Sequence, residues 1–124
     1  LYLFTKSRVK NNFGKTNLYK IPATPGHHIA EFINSFDSCD NLECWITSAD
    51  ISDDGQSVVI LSPKSAFKLT NFIGDDFFSG TVDEFTFPIV SQKEGVCFKD
   101  ANTLYITDEK AHGEGGNLYE FKLD

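Results

Sequence analysis

An echo at a spacing of about 46 residues constrains this chain more than any other feature. Ala49-Asp50-Ile51-Ser52-Asp53-Asp54-Gly55-Gln56-Ser57-Val58-Val59-Ile60 aligns with Gly95-Val96-Cys97-Phe98-Lys99-Asp100-Ala101-Asn102-Thr103-Leu104-Tyr105-Ile106. Both halves read as a short strand, a tight polar turn and a second strand. A second echo joins the two ends of the chain. Leu1-Tyr2-Leu3-Phe4-Thr5, a basic loop and Asn17-Leu18-Tyr19-Lys20-Ile21 match Leu104-Tyr105-Ile106-Thr107-Asp108, a Gly-rich loop and Asn117-Leu118-Tyr119-Glu120-Phe121. Strand-built repeats of this length predict an all-β fold of antiparallel, blade-like sheets, as in a β-propeller.

The turn chemistry sets the strand boundaries. Asp54-Gly55 supplies the positive φ that a hairpin turn needs, so Trp45–Ser52 and Val58–Leu61 are expected to pair antiparallel. Ala66–Thr70 and Thr81–Phe87 continue that sheet in order. Leu1–Thr5 alternates poorly and is expected to be buried on both faces. His28–Phe36 has apolar residues at a spacing that suits one helical turn; the repeat context favours an irregular outer strand. The reading divides the chain into a partial unit over 1–36, a full four-stranded unit over 45–87 and a partial unit over 93–123. That is about two and a half blades, whereas closed propellers use about 4–8. The chain is therefore expected to work with the remaining blades of a larger parent chain, or with other subunits. Leu at position 1 likewise suggests a processed or excised piece.

Composition narrows the partners. The net charge is −7, which disfavours nucleic acid and anionic membrane surfaces. No apolar run approaches the length of a membrane span, so membrane insertion is not expected. Of three cysteines, Cys39 and Cys44 are close enough to be bridged across a polar loop. The reading preferred here is instead two loop thiols, with Cys97 a core thiol.

Glu94-Gly95-Val96-Cys97-Phe98, a short turn and Asn102-Thr103-Leu104-Tyr105-Ile106-Thr107-Asp108-Glu109 carry a resemblance. The pattern resembles the bacterial six-bladed propellers grouped as SdiA-regulated proteins and the related esterase-like phytase domains. Ser48-Ala49-Asp50-Ile51-Ser52-Asp53-Asp54-Gly55-Gln56 similarly resembles a turn common to many propellers. The resemblance implies a propeller fold, an extracytoplasmic location and calcium as a candidate cofactor. It does not imply a particular reaction. Ser48 stands in the middle unit where Glu94 stands in the last, so a carboxylate does not recur in every unit.

Propeller topology gathers the longer loops on one face, where binding sites usually lie on a rigid scaffold. Lys6, Arg8, Trp45, Glu94, Asp108 and Glu109 are the candidate binding residues there. Glu94 opens an inner strand, where a carboxylate can ligate calcium or act as a base. The competing role for Glu94 is structural, bonding the backbone of a neighbouring blade. For Asp108 and Glu109 it is a capped loop beside Lys110. Asp50-x-x-Asp53-Asp54-Gly55 lacks the spacing and terminal Glu of a calcium loop and reads as a hairpin. No G-x-S-x-G elbow occurs, and no catalytic residues are assigned. The leading reading is a non-catalytic binding or scaffold module of a bacterial envelope or secreted protein. The alternative is part of a calcium-dependent hydrolase of phosphate-ester or ester substrates.

Overall fold

Ten strands and two single-turn 3-10 segments form the ordered elements, and all strand pairing is antiparallel. They are seen in a computed structural model that describes Leu1–Asp124. The first sheet contains β1 (Tyr2–Phe4), β2 (Lys15–Lys20) and β3 (Glu31–Asp37). The second contains β4 (Ser48–Ile51), β5 (Ser57–Leu61), β6 (Ser65–Thr70) and β7 (Thr81–Thr86), in chain order. The third contains β8 (Lys93–Asp100), β9 (Thr103–Asp108) and β10 (Leu118–Lys122). The chain is all-β, and its three sheets do not close into a ring.

The β4–β5 hairpin follows from its turn residues. Gly55 has φ of 70°, a region that a side chain disfavours. Asp54 Oδ1 accepts from the Ser52 hydroxyl at 2.6 Å and from the Gln56 amide at 2.9 Å. Ser52 Oγ in turn accepts from the Ser57 amide at 3.0 Å. The Ser52 bond and then the Gln56 bond hold the Asp54 carboxyl below the usual carboxylate range. These local bonds fix the turn and so set the β4–β5 register.

The middle sheet is buried on both faces. Val58, Ile60, Phe67 and Leu69 pack with Leu18, Ile46 and Phe77 in one core. Val59, Leu61 and Ala66 point the other way and pack with Leu104, Ile106, Phe87 and Leu123. The period-two alternation of a strand places successive residues on opposite faces. An unbroken apolar run such as Val58-Val59-Ile60-Leu61 therefore supplies both cores. Each of these side chains contributes about 1.5–3 kcal/mol by leaving water. The first and third sheets bury one face each against this central layer.

Several sequence expectations need correction. Leu1–Thr5 is not buried on both faces; Leu1, Tyr2 and Leu3 are exposed, because β1 is an edge strand with no layer on its outer side. The strand expected from Trp45 starts only at Ser48. Before it, Asn41 accepts from the Glu43 amide at 2.9 Å and caps a turn over Leu42–Cys44. Cys39 and Cys44 form a disulfide with Cα atoms 5.6 Å apart. Cys97 is exposed on the outer face of the third sheet, and is not a core thiol. The irregular outer strand favoured over a helical turn for His28–Phe36 is found, over Glu31–Asp37. Leu18 pairs with Asn34 but Tyr19 pairs with Phe32, so Ile33 is an extra residue. That bulge sends Ile33 to the core while Phe32 faces outward, which imitates helical spacing in the sequence.

Candidate functional site

Antiparallel pairing brings one set of connections to the same end of all three sheets. Phe4 lies opposite Leu18, Ser48 opposite Leu61 and Lys93 opposite Asp108. The loops at 5–14, 38–47, 62–64, 87–92 and 109–117 therefore meet there. Backbone bonds tie them: Ser38 N–H to Gly14 O at 3.0 Å, Lys64 N–H to Glu43 O at 3.1 Å and Glu109 N–H to Gln92 O at 2.8 Å. Gly14 is required at this junction, since a Cβ there would lie 1.9 Å from the Cys39 carbonyl.

Four of the six candidate residues form one cluster at this end. The Lys6 ammonium lies 4.9 Å from the centre of the Trp45 ring and the Arg8 guanidinium 5.1 Å from it. Lys6 also pairs with Glu94 at 3.6 Å. The Trp45 indole N–H donates to the Ser7 carbonyl, and Phe13 meets the indole edge-on at 5.5 Å. The ring is thus held by the loop that carries both cations. Two cations against one aromatic ring and one carboxylate leave a local positive charge on an acidic protein. Cation–π contacts at exposed sites contribute about 0.5–1 kcal/mol each, so the cations remain available to a ligand.

Asp108 and Glu109 do not join them. Asp108 is buried and accepts from the Asn117 amide and the Tyr119 hydroxyl, both at 2.8 Å. Burial pushes its carboxyl up, but the Asn117 and Tyr119 bonds outweigh that and hold it below the usual range. Tyr119 is raised in return, first by the Asp108 bond and then by burial. Asp108 is thus a loop fastener. Glu109 is exposed and engages the fold through its backbone. No group of three or more His, Cys, Asp or Glu side chains is arranged to hold a metal ion. Glu94, the candidate calcium ligand, faces an ammonium instead of further carboxylates. It also makes no hydrogen bond to a neighbouring backbone.

Sequence reasoning passed over Lys93. Its side chain is buried, and its ammonium donates to Ile89 O at 2.8 Å, Ser91 Oγ at 3.0 Å and Pro63 O at 3.2 Å. The ammonium sits 4.6 Å from the centre of the Phe87 ring. Burial pushes it below the usual lysine range, opposed by the charge of Asp108. It borders a cleft of about 230 Å³ lined also by Pro88, Tyr119 and Phe121. All three donors are occupied, so Lys93 clamps the 62–64 and 87–92 loops. A lysine beside a proline-containing loop carries no single-sequence signal of this role.

No family model, curated protein or solved structure matches the chain.

Proposed function

We propose that the chain is a segment of a β-propeller that serves as a non-catalytic binding and scaffold module, with Trp45, Lys6, Arg8 and Glu94 as its contact surface. The observation that carries the reading is the gathering of two cations on one indole, 4.9 and 5.1 Å from its centre, at the end where the long loops meet. An aromatic platform with flanking cations binds a planar or apolar group bearing an anion. The propeller reading is supported by sheets stacked face to face with a core in each gap. It is supported too by the repeated strand–turn–strand sequence, with its likeness to SdiA-regulated and phytase-type propellers. The Cys39–Cys44 disulfide supports an extracytoplasmic, oxidising location. The calcium-dependent hydrolase reading has less support: Glu94 is neutralised by Lys6, and Asp108 is committed to its own loop.

Trp45 is the sole tryptophan, so its fluorescence reports on this surface directly. Titration with inorganic phosphate, acetate and a poly-glutamate peptide should give a saturable change with at least one probe. Lys6→Gln with Arg8→Gln should weaken it about tenfold or more. A flat response to every probe, or an equal response from the double variant, refutes the surface. A calcium-dependent rise in melting temperature that Glu94→Gln removes would favour the hydrolase reading instead.

A further inference from the structure

The cations and the ring of the Trp45 cluster belong to different sheets. Lys6, Arg8 and Phe13 sit on the loop from β1 to β2, in the first sheet. Trp45 leads into β4, and the Lys64 N–H bond to Glu43 O fastens the residues before it to the middle sheet. Cation–π and ion-pair contacts across that seam are weak one by one. The geometry of the cluster therefore depends on what holds its two sides together at this end.

The Cys39–Cys44 disulfide is such a link. Cys39 follows β3 and its backbone lies against Gly14, which closes the cation-bearing loop. Cys44 directly precedes Trp45. A second tie between the same sides is the Ser38 hydroxyl, 2.8 Å from Cys44 O and 3.1 Å from Gly14 O. It has one proton and donates to one of them at a time. The two cysteines are five residues apart, and so short a closed loop restricts the unfolded chain little. Cys44 is buried, yet neither cysteine belongs to either apolar core. The bridge is thus placed to act on the cluster more than on the fold. Cys39 is half-buried and the residues after it, Asp40–Glu43, are exposed, which gives a thiolate an approach from that side.

From this we infer, resting on the reading of the Trp45 surface as the binding site, that the Cys39–Cys44 disulfide is a redox switch on anion binding there. The bridged form binds, and reduction by a dithiol weakens binding. A thiolate of the dithiol attacks the Cys39 sulfur, the S–S bond breaks, and Cys44 leaves as a thiolate that takes a proton from water. The second thiol of the dithiol then resolves the mixed disulfide and releases Cys39 as a thiol. In sum two electrons and two protons pass from the dithiol to the protein, and the dithiol closes to its own disulfide. Trp45 is then free to move away from Lys6 and Arg8, while the two apolar cores stay closed.

Cys97→Ser removes the exposed third thiol and leaves only the pair. In that chain, titrations with inorganic phosphate, acetate and poly-glutamate are compared before and after reduction with dithiothreitol. An anion that binds the bridged form should bind the reduced form about fivefold or more weakly, the loss of about one charge-assisted contact. Acrylamide quenching of Trp45 without any anion should rise on reduction, and reoxidation with oxidised glutathione should restore both readouts. Cys39→Ser with Cys44→Ser should bind like the reduced form and ignore dithiothreitol. Equal or tighter binding after reduction overturns the switch and leaves the surface standing. No binding of any probe by the bridged form refutes the surface and the switch together. Loss of amide protection at Val59 and Ile60 on reduction also overturns the switch, since the bridge would then hold the fold and not the site. If the double serine variant does not fold, reversible reduction of the Cys97→Ser chain still decides.

Discussion

At the scale of the residue, Asp108 and Thr16 illustrate opposite treatments of a buried polar group. Asp108 has its acceptors filled by Asn117 and Tyr119, and its carboxyl is held below the ordinary range of about 3.9. A depressed folded value means that the stabilisation is complete above the unfolded value. It disappears as pH falls through the folded one. Asp108→Asn should lose about 1–2 kcal/mol at neutral pH in urea unfolding. The gap between variant and parent should close as pH falls below about 4. Thr16 presents the reverse case: it is fully buried and its hydroxyl has no hydrogen-bond partner. Thr16→Val removes an unsatisfied group at nearly constant shape and should raise stability by about 1 kcal/mol in the same assay.

At the scale of the element, the β4–β5 hairpin is where local and tertiary preferences agree. Gly55→Ala should cost about 1 kcal/mol through strain at φ of 70°, with strand content unchanged by circular dichroism. A cost near zero would mean that the turn can relax. The same agreement explains why the order of β4 to β7 was legible in the sequence: Asp-Gly, a β-branched run and a Pro-Lys-Ser loop all point one way. Elsewhere local and tertiary signals part. The bulge at Ile33 looks helical in sequence because two adjacent apolar residues serve opposite faces. The cap at Asn41 and the neighbouring disulfide delay β4 by three residues, from Trp45 to Ser48. At the candidate site, the meeting of Lys6, Trp45 and Glu94 could be anticipated from sheet topology. The inward turn of Asp108 and the burial of Lys93 could not, since both depend on side-chain partners in distant loops.

At the scale of the whole molecule, the outer face of the first sheet carries Leu3, Tyr19 and Phe32 in one cross-strand row. Tyr19 and Phe32 meet edge-to-face at 5.6 Å, with Phe32 55 % exposed. Phe32→Ser should leave stability within about 1 kcal/mol of the parent and reduce self-association measured by sedimentation. A large loss of stability with no change in association would mean that the row supports the fold and is not a contact face.

The double burial of the middle sheet also dictates the sequence of events when the molecule comes apart. Either flanking sheet can detach and expose one apolar seam, leaving the other seam closed. Loss of β4–β7 opens both at once, so no partly unfolded form lacking only that sheet is stable. Slow amide exchange should therefore concentrate at Val59 and Ile60, whose opening is equivalent to global unfolding. The two ends should exchange through separate, shallower openings. In this chain the centre acts as the keystone, and each end is a hinged leaf.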